Sequence, residues 1–305
     1  MNGILARVGD RFHRTFSRDP RYYQLFCQSA IYAYGLKYLD FALYLGALPV
    51  AIAGCLVTQA AAIFTLRWLR PHSSNQVRAR FDWRSPTVSA MSLALLLRSN
   101  ELWPIALAAV LSIGSKFVLR ASQRHFFNPS LFGILAVLLL IPQHVWVSPG
   151  QWGREGLLLF FVACAGGVVL FRALRSDVTF AFLLSFAALL ITRAVWLGDP
   201  WPIVQNQLSS GTLLIFAFFM ISDPKSTPLT RGARIGFAAL TAGIAVFIQF
   251  GLYGDNALLW ALGWAAFTVP LWNLLRDAQP TSNSDELQSI AQAAPPTSAL
   301  AGAQT

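Results

Sequence analysis

The sequence predicts an all-α, polytopic membrane protein of about ten transmembrane helices. Three observations predict it. The chain is 55% hydrophobic and only 12% charged over 305 residues, with a mean hydropathy of +0.53, a balance foreign to soluble domains. Apolar runs separated by short polar segments recur from residue 22 to residue 275. The basic residues also alternate with those runs. With both termini on one side, that side collects 19 of the 23 Lys and Arg, and only Lys37, Arg98, Arg154 and Arg193 fall elsewhere. Omitting any one span breaks the alternation after it, so the number of spans is better fixed than any boundary.

The net charge of +10 does not point to nucleic acid, because the basic residues sit between apolar runs and not along one solvated face. Cys27, Cys55 and Cys164 are far apart, each within an apolar run, and read as small core residues.

Residues 1–21 carry five arginines and no apolar stretch, which predicts a basic cytoplasmic tail and not a cleavable signal. The transmembrane region follows over 22–275. Tyr22–Tyr38 opens it, amphipathic through Gln24, Gln28 and its tyrosines, and Gly46–Leu66 is a clear span. After a basic loop, Pro86–Leu97 is a short apolar piece and Trp103–Ile113 starts the next span. Asn128-Pro129 begins another helix, with asparagine suited to the cap and proline tolerated at the first position. It stops at Pro142. Further spans are expected at Gly156–Leu170, Val178–Leu197, Ser209–Ile221, Ile235–Leu252 and Ala257–Leu274. Residues 276–305 turn to Ala, Pro, Ser, Thr and Gln, the composition of a disordered tail.

Ser209–Pro228 is the most informative stretch. A polar start, Ser209-Ser210-Gly211-Thr212, leads into an apolar run that ends at Asp223-Pro224, where proline excludes further helix. Leu213–Ile221 is about half of the roughly 20 residues a span needs. Interrupted helices at membrane depth need cover from other protein or a cavity, and paired ones mark binding regions in transporter-like folds. The short helix Pro86–Leu97 and the Asn128-Pro129 turn in the first half match Leu213–Ile221 and Asp223-Pro224 in the second. This suggests two inverted repeats with a site between them.

The candidate site residues follow from these turns. Lys116, Arg120, Arg124 and His125 cluster on the basic side, where they either anchor that face or hold an anion such as a flavin phosphate. Asp223 beside the broken helix is the best ionisable gate, its bland role being to cap the turn or pair with Lys225 or Arg231. His125 and His144 lack neighbours at metal spacing, and no Ser–His–Asp, Cys–His or phosphate-loop pattern is legible.

SKFVLRASQRHFFNPSLFG (115–133), QLSSGTLLIFAFFMISDPKSTP (207–228) and RGARIGFAALTAGI (231–244) resemble the NqrB/RnfD membrane family. The opening DPRYYQLF and RFDWRSPTVSAMSLALLLRSN resemble a compact branch of it akin to RnfD. The likeness covers about Asp19–Leu275. It implies a ten-span fold of two inverted repeats similar to urea transporters, in a membrane of the bacterial inner-membrane type. It also implies electron transfer coupled to ion movement, with other membrane or redox subunits as partners besides lipid. Family members attach FMN to a threonine in the loop after the Asn-Pro helix. Here that loop, 142–155, has only Ser148, and no threonine occurs between Thr87 and Thr179. Covalent FMN is not expected. A non-covalent FMN or riboflavin near Asn128 and Asp223 is the cofactor the resemblance leaves open, and loss of flavin is the other outcome. The run Ser210-Gly211-Thr212 resembles flavin-acceptor peptides of soluble partner subunits but reads as the start of a helix; Ser209, Gly211 and Thr212 stay among the candidate flavin contacts. Two other functions stay open: a solute or ion transporter with this fold and no redox role, and a scaffold for a partner enzyme.

Overall fold

A computed structural model of the chain describes residues 19–38, 46–69, 81–121, 124–148 and 176–277. The expected span Gly156–Leu170 and most of both expected tails lie outside these residues. Within them the chain is predominantly helical: α1 (Pro20–Tyr38), α2 (Ala47–Leu69), α3 (Arg84–Leu96), α4 (Trp103–Val118), α5 (Pro129–Leu140), α6 (Ser176–Leu197), α7 (Trp201–Leu208), α8 (Gly211–Ile215), α9 (Arg231–Val246), α10 (Ala257–Ala266) and α11 (Val269–Asp277). Two antiparallel ribbons complete it, β1 (Leu97–Arg98) with β4 (Trp146–Val147), and β2 (Arg120–Ala121) with β3 (Arg124–His125).

Three helices are long and apolar enough to cross a membrane: α2, α6, and α9 with its extension to Gly251. The pair α7 and α8 passes the same test together but bends by 44° at Ser209-Ser210. Helices α4, α5 and α10 are apolar and shorter. Large side chains such as Phe64, Leu184 and Val195 point outward from the long helices, which suits lipid and not water.

The helices cross on small residues. Gly133 of α5 lies where an added Cβ would stand 2.5 Å from the Ala108 carbonyl oxygen of α4, and Gly54 of α2 meets Ala109 of α4 in the same way. Without a strong hydrophobic drive between helices in lipid, such close approach supplies packing instead. The packing pattern repeats. In the first half α4 packs on α2 and α5; in the second, α9 packs on α6 and α10.

One expected element is corrected. Ala257–Leu274 is not one helix but α10 and α11, broken at Phe267-Thr268. Pro270 lacks an N–H and its ring crowds the carbonyl four residues back, so a straight helix cannot pass. Residues 201–208, which fall between the expected spans Val178–Leu197 and Ser209–Ile221, form α7, with Pro202 at a permitted early position. The helix after Gly211 widens into a π turn over Phe216–Met220, closed by Ile221 N–H donating to Phe216 O at 3.0 Å. Such turns recur at functional sites. Around this one, the Ala217 carbonyl accepts from Thr179 Oγ1 at 2.7 Å and the Met220 carbonyl from Asn128 Nδ2 at 3.2 Å.

Candidate functional site

Helices α1, α3 and α5 all begin at one end of the bundle, and α8 with its π turn ends there. Arg67, Lys116, Arg120, Arg124, Lys225, Arg231 and Arg234 gather at the same end, called here the basic end. Three turns at this end use an aspartate in the same way. Asp19 Oδ1 accepts from the Arg21 N–H at 3.0 Å, Asp82 Oδ1 from the Arg84 N–H at 3.2 Å, and Asp223 Oδ1 from the Lys225 N–H at 3.1 Å. The short carboxylate folds back on the backbone two residues on, the habit that makes aspartate a turn former.

The first two of these turns interlock. Arg21 reaches Asp82 at 2.5 Å and Arg84 reaches Asp19 at 2.7 Å, while each arginine also bonds its own aspartate at 2.8 Å. Two aspartates and two arginines thus close a neutral ring that ties α1 to α3. Gln59 of α2 joins it by donating to the Asp82 carbonyl at 2.8 Å. Burial raises the Asp19 and Asp82 carboxyls, but hydrogen bonds and charge from the two arginines outweigh it and hold both below the ordinary aspartate value.

Between this ring and the Asp223-Pro224 turn lies a cavity of about 300 Å³, at the lower end of the range of about 300–1,000 Å³ typical of small-molecule sites. Asp19, Arg21 and Gln24 line it from α1, and Ser85, Ser89 and Ser92 from one face of α3. His125, Asn128 and Ser130 line it from the start of α5, and Phe218, Phe219, Ser222, Asp223 and Lys225 from the broken helix and its turn.

Asn128 is the joint between the halves. It is buried, its Oδ1 accepts from the Leu131 N–H at 3.3 Å and the Ser130 hydroxyl at 2.8 Å, and its amide donates across to Met220. Arg124 adds a second bridge, donating to the Pro224 carbonyl at 2.6 Å.

The hydroxyls share one polarity. Ser89 donates to Ser85 O, Ser92 to Val88 O, Ser222 to Phe218 O and Ser130 to Asn128, so each proton is turned into the protein. Their lone pairs remain as acceptors. Behind Ser92, Gln28 donates to its Oγ at 2.9 Å, and the buried Gln28 Oε1 receives no hydrogen bond. His125 donates from Nδ1 to Phe127 O at 3.2 Å in the tautomer that bond selects. Burial pushes this imidazole below its ordinary value despite the nearby Asp223 charge, so near neutral pH the ring is uncharged and its Nε2 is also an acceptor.

Of the residues expected at the site, His125, Asn128 and Asp223 line the cavity. Lys116 borders it, its Nζ 2.9 Å from Ser85 Oγ. Arg124 closes its rim. Arg120 is exposed on the β2–β3 ribbon. Ser209, Gly211 and Thr212 lie at the far end of the broken helix. Ser209 bonds its own helix at Gln205 O, and Thr212 Oγ1 reaches Ser148 O at 3.5 Å. Asp223 caps its turn, bonding Lys225 N–H and the Ser226 hydroxyl, and makes no ion pair with Lys225 or Arg231 among the described residues. The ring residues and the α3 serines were missed. Their signals were the repeated Asp-x-basic triplet at 19–21, 82–84 and 223–225 and the spacing of Ser85, Ser89 and Ser92 on one helical face. Among the described residues no cluster of His, Cys, Asp and Glu could hold a metal ion.

No family model matches the chain. The D component of the ion-translocating oxidoreductase complex of Klebsiella pneumoniae is 36% identical to it over 174 residues, 53% of this chain and 47% of that protein. The components of the same name from Salmonella paratyphi B and Salmonella newport are 37% identical over 112 residues, 35% of this chain and 31% of theirs. The matched region thus spans about half or less of the length of these curated relatives.

Proposed function

As a member of the NqrB/RnfD family, a placement that the partial matches support, the chain is, we propose, a membrane subunit of an ion-translocating redox complex whose cavity at the basic end holds a flavin non-covalently. The observation that carries this is the cavity itself, formed where the Asn128 cap of one half meets the Asp223-Pro224 turn of the other. In this reading the fold is two inverted repeats of five spans. The repeated packing of α2–α4–α5 and α6–α9–α10 supports it, and an odd number of spans per repeat reverses the second repeat in the membrane. The basic end faces the cytoplasm, in keeping with the distribution of Lys and Arg. Other subunits supply the electron donor and acceptor.

The lining suits FMN or riboflavin. Phe218 and Phe219 offer apolar surface for a ring system. The acceptor lone pairs of Ser89, Ser92 and Ser222 call for a ligand carrying N–H and O–H donors, which the ring imide and ribityl chain provide. Bound flavin supplies one- and two-electron transfer. The chain's own residues bind it, orient it through the serine face, and exclude water on the side of α3.

The test is the absorbance and fluorescence of the detergent-purified protein before and after acid precipitation. Flavin released to the supernatant is the expected result. Flavin kept in the pellet would refute the non-covalent assignment, and a colourless protein from flavin-replete cells would refute the redox reading in favour of transport.

A further inference from the structure

We infer that the mouth of the cavity carries an anion subsite, built on Lys116 and Lys225, that takes a phosphate monoester group. The inference deepens the flavin reading, in that it selects FMN over riboflavin, but the subsite stands on observations of its own. Lys116 is half-buried in the last turn of α4 and its ammonium makes one hydrogen bond, to Ser85 Oγ on the cavity wall. Lys225 lines the cavity from the Asp223-Pro224 turn. Neither ammonium has a carboxylate ion-pair partner among the described residues, although five other basic side chains do.

The charge balance at the mouth is positive. The ring of Asp19, Arg21, Asp82 and Arg84 sums to zero, His125 is neutral, and Asp223 cancels only one of Lys116, Lys225 and Arg124. Both Asp223 oxygens are already engaged within its own turn. A cation half-buried with unused donors and no carboxylate in contact is costly unless an anion completes it. The first turn of α5 opens on the same cavity at Pro129 and Ser130, and its N-terminal dipole adds to the field there. A compact ammonium recognises phosphate as a point charge, without the planar fork an arginine would bring.

The experiment uses the full chain, delipidated in detergent, with thermal unfolding read in inorganic phosphate against chloride at equal ionic strength. Phosphate is expected to raise the midpoint for the native chain and for Lys116→Arg, and to leave Lys116→Met and Lys225→Met unchanged. No rise above chloride, or equal rises in the methionine variants, would overturn the subsite. If Lys116→Met fails to fold, Lys225→Met on the exposed turn still decides. Direct titration with FMN and riboflavin then separates this inference from the flavin reading. FMN is expected to bind about tenfold or more tighter, a difference lost in Lys225→Met. A phosphate response with neither flavin bound would refute flavin and keep the subsite. Competition of phosphate by glycerol phosphate identifies a soluble ester as the source of the anion, and competition by phosphatidic acid alone identifies a lipid headgroup; either supports the subsite.

Discussion

Replacing Asn128 with alanine tests the joint between the two halves. The side chain is 6% exposed and makes three hydrogen bonds: one caps α5 at Leu131, one holds Ser130, and one crosses to the Met220 carbonyl on the π turn. Loss of an asparagine cap costs about 1 kcal/mol. Leaving the Ser130 hydroxyl without its acceptor, and the Met220 carbonyl with only its long 3.4 Å bond from the Asp223 N–H, costs up to about 1–3 kcal/mol for each buried group. The Ser130 hydroxyl can turn to the cavity, so the expected total is about 2–4 kcal/mol, split between α5 and the broken helix. Asn128→Asp separates the two effects. It keeps the acceptor for Leu131 and Ser130 but loses the donor to Met220 and sets a carboxylate against that carbonyl. The assay is denaturant unfolding in bicelles, with hydrogen exchange followed at Leu131 and Ile221. Asn128→Ala should loosen both sites, and Asn128→Asp should loosen Ile221 while sparing Leu131. A cost below about 0.5 kcal/mol for alanine, or protection at Ile221 unchanged in both variants, would refute the joint.

Two further perturbations follow from the geometry. Gly133→Ala places a methyl 2.5 Å from the Ala108 carbonyl and 2.8 Å from Ser112 Cβ, which backbone cannot relieve without parting α4 from α5. Severe destabilisation, about 3 kcal/mol or more, is expected in the same unfolding assay, whereas Gly114→Ala, with no neighbour within 4 Å, should be neutral or better. The Asp19–Arg21–Asp82–Arg84 ring makes stability pH-dependent. Both carboxyls are depressed in the folded chain, so their contribution is complete above the ordinary aspartate value, about 3.9, and is lost as pH falls through the lower folded values. Midpoints measured from pH 7 to pH 3 should drop in the native chain and flatten in the Asp19→Asn/Asp82→Asn double variant.

The turns were legible because their chemistry is local. Asn128-Pro129 announces a helix start by cap and fixed φ, and Asp223-Pro224 announces a stop, so both ends of the joint could be read within five residues of sequence. The break after Ala266 was equally local, since Pro270 stands inside the apolar run, but hydropathy averaged over it. What joins Asn128 to Met220 is a separation of 92 residues, and what joins Arg84 to Asp19 is one of 65. No periodicity reports such pairs. The π turn was hidden for a different reason: Phe216–Met220 is as apolar as any α-helix, and the donors that meet its Ala217 and Met220 carbonyls come from Thr179 and Asn128, far away in the sequence. The candidate site was half read for the same cause. His125, Asn128 and Asp223 flank breaks, whereas Ser85, Ser89 and Ser92 sit inside a helix that only the fold turns toward a cavity.

The shortness of α3 has an electrical consequence. Its 13 residues rise about 20 Å, against about 30 Å for the hydrocarbon of a bilayer. The cavity runs along α3 as far as Ser92, and only four residues, about 6 Å of rise, remain before the helix ends at Leu96 and the β1–β4 ribbon begins. Where water enters it, the cavity carries the potential of the basic end inward by about 12 Å, so the transmembrane voltage falls across a remaining septum of ~18 Å. A unit charge moved through a septum bearing the full drop gains or loses about 2.3 kcal/mol per 100 mV. The field there is steeper than in the surrounding bilayer by somewhat less than about twofold, and Ser92, with Gln28 behind it, stands at its edge.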